Sequence, residues 1–186
     1  IDCSNRKLRG QHNMENIAAA ALAGEALGID AETISEAVNN FAGLEHRLQF
    51  AGEFNDVAYY NDSISTVPDT TIAAINSFDK PIHLLLGGSD KGLSYEDMVK
   101  EILQKDNIAS ITFLGEIGGN IKSLFEAANT SIPLLGPYED LSLAINEIKE
   151  RAQAGEIVLL SPASASFDMF KNYAERGRKF VELVSS

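Results

Sequence analysis

Pro81-Ile82-His83-Leu84-Leu85-Leu86-Gly87-Gly88-Ser89-Asp90-Lys91-Gly92 is the stretch on which the fold turns. Ile82 to Leu86 is a short apolar run, the pattern of a strand buried on both faces, and the glycine pair ends it. A strand of this kind belongs inside a parallel sheet with helices above and below. The surrounding sequence agrees. Upstream, Leu48–Glu53 and Val57–Asn61 read as strands joined by the turn pair Asn55-Asp56. Ser65 or Thr66 then caps a helix with Pro68 in its first turn and Ile72, Ile75 and Phe78 inward. Downstream, Ser94 with Asp97 starts a helix carrying Met98 and Ile102. Strands at Ser110–Leu114, Ile132–Leu135 and Ile157–Leu160 follow. Helices alternate with them, carrying Ile117, Ile121 and Phe125, then Leu141, Ile145 and Ile148, and last a helix through Phe170 and Phe180. The expected class is α/β: a Rossmann-like, mostly parallel sheet with flanking helices and right-handed crossovers.

The first 43 residues differ. Met14, Ile17, Ala18, Ala21 and Leu22 recur at helical spacing with Gly28 as a stop. Asp30 caps a second helix bearing Ile34, Ala37, Val38 and Phe41, and Gly43 ends it. Two helices without a strand cannot bury both faces. Residues 1–43 are therefore expected to be the tail of another domain, and residues 44–186 a domain of their own.

Composition narrows the function. Fifteen Lys and Arg against 27 Asp and Glu give 186 residues a formal charge of -12, with no basic cluster to grip a phosphate backbone, so nucleic acid is excluded as a partner. No apolar run is long enough to span a membrane, and Ile1–Gly10 does not read as a signal peptide. The single cysteine, Cys3, suits a reducing cytoplasm. His12, His46 and His83 are too scattered for a zinc site, and no metal ligand set is expected.

Ligands of such a sheet collect beyond the carboxyl ends of its strands. Four segments fall there: Tyr60–Thr66, Gly87–Gly92, Gly115–Gly119 and Ser161–Asp168. Taken singly, each has an ordinary structural explanation. Gly115–Gly119 lacks the dinucleotide fingerprint and any following Lys-Ser/Thr, so helix packing is its expected role. Ser161–Ser166 lacks the G-x-S-x-G pattern and has no evident histidine partner, which disfavours a serine nucleophile. Together they suggest more. Lys91, the hydroxyls of Thr66 and Ser166, and a helix N-terminus at Thr66 are the equipment for holding a small carboxylate. Arg47, after Gly-Leu-Glu-His, is placed to reach a phosphate at the junction of the two parts.

Longer motifs carry a resemblance. Gly10-Gln11-His12-Asn13-Met14-Glu15-Asn16 before an Ala-rich helix, Phe41–Arg47, Tyr60-Asn61-Asp62-Ser63, Leu84–Gly88 with Lys91, and Leu159–Asp168 with Phe170-Lys171-Asn172 together resemble the Mur ligase family, and within it the glutamate-adding members. The resemblance covers essentially the whole chain. It implies the last helices of a central ATPase domain followed by a Rossmann-like C-terminal domain. The implied activity is ATP-dependent amide synthesis in peptidoglycan precursor assembly. The carboxylate of UDP-N-acetylmuramoyl-L-alanine is activated as an acyl phosphate and attacked by glutamate. By motif position, Asn16, Arg47 and Asp62 would bind ATP, and Thr66, Lys91, Ser166, Phe167 and Tyr173 would surround glutamate. The phosphate loop, the Mg2+ ligands and a catalytic lysine would lie in a part not present here, leaving this chain alone inactive. The resemblance further implies a cytoplasmic monomer. Two positions depart from the family pattern: Ile64 stands where a lysine is usual, and Tyr173 where phenylalanine is. The Asn-Asp-Ser-Ile form also occurs in related ligases that attach the L isomer, so both isomers stay open, D-glutamate first. A folylpolyglutamate synthase-like ligase and a non-catalytic Rossmann-like binding module are the alternatives.

Overall fold

The computed structural model describes Ile1–Ser186. Two helices, α1 (Gln11–Ala26) and α2 (Ala31–Asn40), precede six strands: β1 (Gln49–Phe54), β2 (Val57–Asn61), β3 (Ile82–Gly87), β4 (Ile108–Leu114), β5 (Leu134–Tyr138) and β6 (Ile157–Leu160). Between and after them run α3 (Pro68–Ile75), α4 (Glu96–Ile102), α5 (Gly115–Ala127), α6 (Leu141–Arg151) and α7 (Tyr173–Ser185). The strands form one sheet in the order β1-β2-β6-β3-β4-β5, in which only β1 runs antiparallel. Asn55 and Asp56 both take left-handed φ, 53° and 60°, in the tight turn that joins β1 to β2.

Every residue of β3 is buried, as its apolar run predicts. On one face α3, α4 and α5 bring Ile75, Met98, Ile102, Ile121 and Phe125 onto Leu84, Leu86, Ile111 and Leu159. On the other, α6 and α7 bring Ile145, Ile148, Phe180 and Val184 onto Leu85, Val158 and Leu160. The connection leaving β6 therefore goes to the opposite face from those leaving β2 and β3, its neighbours. That reversal makes the end of β6 a topological switch point, the place where open α/β sheets bind ligands. α1 and α2 bury little: Leu22 of α1 is 67% exposed, and Ile34 is the one buried residue of α2.

Several boundaries differ from the expectations, with physical reasons. Neither Ser65 nor Thr66 caps α3. Pro68 forces the residue before it into extended backbone, so Val67 (φ -140°, ψ 152°) takes the cap position without a side-chain bond. The expected helix N-terminus at Thr66 thus lies two residues later. Ser94 does not cap α4, because its hydroxyl bonds the Glu96 carboxylate, and Tyr95 occupies the cap. α2 stops at Asn40, with Phe41 already extended, rather than at Gly43. α7 begins at Tyr173 with the Asn172 side chain accepting from the Glu175 N–H at 2.9 Å, so Phe170 precedes the helix. β5 starts at Leu134, two residues beyond the predicted edge.

Candidate functional site

The four predicted segments meet at the carboxyl end of the sheet. Gly87 donates its N–H to the Pro162 carbonyl at 2.8 Å and Ser89 to the Ala165 carbonyl at 3.0 Å, which zips the loop after β3 to the loop after β6. The approach is too close for side chains. A Cβ on Gly88, where φ is +144°, would stand 2.1 Å from the Ala165 carbonyl oxygen. Asp168 joins the third segment. Its carboxylate accepts from the Ser89 hydroxyl at 3.1 Å and from the Glu116 N–H at 3.1 Å, in the first turn of α5.

Asp62 is buried beneath this rim. One oxygen accepts from the Leu48 N–H at 3.1 Å and the other from the Ser161 hydroxyl at 2.7 Å. Burial pushes its carboxyl up, against these donors and the nearby Arg47, which pull the other way. Asp62 thus fastens the segment before β1 to the ends of β2 and β6. Beside it, Asn61 donates to His46 Nδ1 at 2.9 Å, which leaves the proton of a neutral imidazole on Nε2. That Nε2 is buried without a hydrogen-bond partner. Burial pushes the His46 pKa down, Glu45 opposing and Arg178 assisting. His46 and Leu48 both hold left-handed φ, 64° and 44°. The segment is a strained buckle, and it leaves Arg47 exposed and without an ion pair.

The remaining predicted site residues fall as follows. Thr66 is half-buried at the end of the β2 loop. Lys91 is exposed in the β3 loop and makes no ion pair within 4 Å, and Ser166 is buried in the β6 loop. These three segments issue from adjacent strands. Phe167 is 71% and Tyr173 39% exposed, so both rings face outward. Tyr173 also sets an edge against His46, with centroids 6.0 Å apart, and its carbonyl accepts from the Ser63 hydroxyl at 2.7 Å. Asn16 lies apart on α1, exposed, its amide donating to Asn13 at 3.3 Å. Gly118 has the packing role expected of Gly115–Gly119, since a Cβ there would meet Pro137 and Phe113 at 3.3–3.4 Å. A cavity of about 930 Å3 lies away from the rim, between Arg6–Gly10 and residues Ala58 of β2 and Ile157 of β6.

Sequence reasoning missed Arg176. This side chain is the largest fully buried one in the molecule. Nε donates to Ser63 Oγ, one terminal nitrogen to the Ala165 carbonyl, and the other to the Ser63 and Ser164 carbonyls, all at 3.0 Å. Burial pushes its pKa down to about 10, so it stays charged at neutral pH. The signal was present: Arg176, Phe180 and Val184 share one face of α7 at four-residue spacing, an arginine on an apolar stripe.

The architecture is that of a mostly parallel α/β domain whose carboxyl-end loops set out hydroxyls and cations. The chain belongs to the Mur ligase family, matching the Mur ligase, glutamate ligase domain over residues 46–164. It is 41% identical to the UDP-N-acetylmuramoylalanine--D-glutamate ligase of Clostridium tetani, over 97% of this chain and 40% of that protein. The enzyme of the same name from Roseiflexus is 39% identical, with 97% and 38% covered. The chain thus spans about two-fifths of the length of these relatives. In structure it resembles the UDP-N-acetylmuramate-alanine ligase MurC of Thermotoga maritima, with a TM-score of 0.69, 18% identity, and 97% of this chain and 39% of that one covered. It also resembles the bifunctional folylpolyglutamate synthase/dihydrofolate synthase of Yersinia pestis, with a TM-score of 0.61, 14% identity, and 90% and 37% covered. At these identities the two likenesses establish the shared fold.

Proposed function

We propose that this chain is the glutamate-binding, C-terminal part of a cytoplasmic, monomeric ATP-dependent ligase that joins glutamate to UDP-N-acetylmuramoyl-L-alanine in peptidoglycan precursor synthesis. One observation carries the reading: the loops bearing Thr66, Lys91 and Ser166 leave three adjacent strands, β2, β3 and β6, at their carboxyl ends. The 41% identity to a ligase named for this reaction supports it. Lys91, exposed and unpaired, holds a glutamate carboxylate, with Thr66 and Ser166 as hydroxyl donors. Phe167 and Tyr173 wall the site.

ATP supplies the activation of the muramoyl-alanine carboxylate as an acyl phosphate. Arg47 fits a nucleotide phosphate, being an exposed guanidinium with no ion pair within 4 Å on a fixed buckle. Asp62 has both oxygens engaged and holds that buckle in place. Asn16 meets the adenine from α1. No group of three or more His, Cys, Asp or Glu stands together to hold a metal ion, so Mg2+ and the phosphate loop are assigned to the three-fifths of the relatives' length that this chain does not span. The work of these residues is positioning and charge neutralisation. Phosphate release by the full-length gene product, with UDP-N-acetylmuramoyl-L-alanine and each glutamate isomer, tests the reading. Turnover with D-glutamate is expected. Turnover with the L isomer alone would trace specificity to the site around Ile64, and none with either would end the proposal.

A further inference from the structure

Arg176 is out of place by ordinary folding economics. A guanidinium stripped of water, with no carboxylate within 4 Å, costs stability that an apolar side chain of similar volume would not. It is nonetheless held by four hydrogen bonds, and the pattern of its partners is informative. Ser63 lies in the loop after β2, and Ser164 and Ala165 lie in the loop after β6. The loop after β3 closes on the same group, since a Cβ on Gly88 would stand 3.0 Å from a terminal nitrogen of Arg176. One side chain thus bonds the loops that carry Thr66 and Ser166, and lies so close to the loop that carries Lys91 that only glycine fits between them.

We propose that Arg176 is the positioning residue of the glutamate site, a rigid fork that fixes the spacing of the three ligand-bearing loops. The inference rests on the glutamate-site reading above. Planarity matters here: the fork spans Ser63 on one side and Ser164-Ala165 on the other in one fixed geometry, which a lysine cannot do. The positive charge is kept as well, partly offset by the Asp168 carboxylate at the rim, and low dielectric strengthens what remains of its pull.

Arg176→Lys in the full-length gene product is the test. It keeps the charge and loses the fork. The Michaelis constant for glutamate is expected to rise about tenfold, while those for ATP and the nucleotide-sugar acceptor stay within about twofold. An unchanged glutamate constant, or an equal rise for all three substrates, would overturn the proposal. Ser63→Ala removes one acceptor, along with the bond from that hydroxyl to the Tyr173 carbonyl, while leaving the charge and the other Arg176 partners in place, and covers the case in which Arg176→Lys does not fold. It is expected to raise the glutamate constant alone, by about threefold or more, and no rise overturns the proposal. Hydrogen exchange of the full-length gene product separates the spacing role from catalysis. Arg176→Lys is expected to speed exchange together at Ser63–Thr66, Gly88–Ser89 and Ser164–Ser166, leaving Leu84–Leu86 unchanged; faster exchange in one loop alone overturns the fork. If the wild-type enzyme turns over neither glutamate isomer, the ligase reading fails, and the exchange pattern still decides whether Arg176 fixes the loops.

Discussion

Replacing Gly177 by alanine sets two effects of one methyl group against each other. Gly177 lies inside α7, where alanine is worth about 1 kcal/mol more than glycine through backbone entropy alone. The new Cβ, however, would stand 2.3 Å from His46 Nδ1 and 2.9–3.0 Å from both terminal atoms of the Asn61 amide. All three residues are buried, and His46 and Asn61 are bonded to each other. Displacing them costs about 1–3 kcal/mol in overpacking. Breaking the pair inside the protein costs about 1–3 kcal/mol more. The net expectation is destabilisation by about 3 kcal/mol, a fall in Tm of about 6–12 °C for a chain of this size. Gly119 in α5 is the control. A Cβ there meets only Pro137 Cγ, at 3.9 Å, so Gly119→Ala should stabilise by up to about 1 kcal/mol. Urea unfolding followed by far-ultraviolet circular dichroism reads both. Equal stability of Gly177→Ala and wild type would refute the steric reasoning. So would a full cost for Gly177→Ala in a His46→Ala background, where the nearer of the two obstacles is gone, only the Asn61 amide remains, and part of the penalty should vanish.

Other perturbations read other parts of the molecule. Because burial keeps the His46 pKa below 6.5, the unfolded chain takes up a proton that the folded one refuses, and stability falls as pH drops below that value. His46→Gln should flatten this limb of the stability–pH curve, and an unaltered limb would show that His46 titrates freely. Glu156 acts lower on the scale. Against the raising effect of burial, the Gln153 N–H and His83 hold its carboxyl below 4.5, so its contribution is present above 4.5 and is lost as pH falls through the folded value. Glu156→Gln should remove that loss, and the same acid denaturation series checks it. Lys91→Ala in the full-length gene product should raise the glutamate Michaelis constant or lower turnover without shifting the melting temperature. Wild-type kinetics would remove Lys91 from the site.

Much of the frame was legible because periodicity and burial coincide. Ile157–Leu160 and Val57–Asn61 were bounded correctly, since each is a compact apolar run closed by polar or turn residues. The helical caps were less legible where local chemistry competed. Pro68 moved one cap to a valine, and Glu96 took the hydroxyl that would have made the other. Strand order was out of reach, because nothing in the residues of β6 announces that it returns between β2 and β3. That return carries Ser164 and Ala165 into contact with Arg176, so the buried arginine could be noticed on its stripe while its partners could not be named.

The charge of -12 bears on how such a site works. Glutamate and nucleotide are anions, and the overall field repels them. Screening confines that repulsion to about 8–10 Å at physiological salt, so a handful of nearby cations decides the outcome. Their settings differ. Arg47 and Lys91 are exposed, so in the proposed site each would engage a ligand through water of high dielectric, for a modest gain. Arg176 is enclosed by Ser63, Ser164 and Ala165, and its field reaches the rim through protein rather than water. A fixed buried charge loses no side-chain entropy when the ligand arrives, whereas Lys91 must be ordered to bind. On the proposed reading the two cations divide the work: Lys91 would contact the ligand, and Arg176 would fix the loops on which it lands.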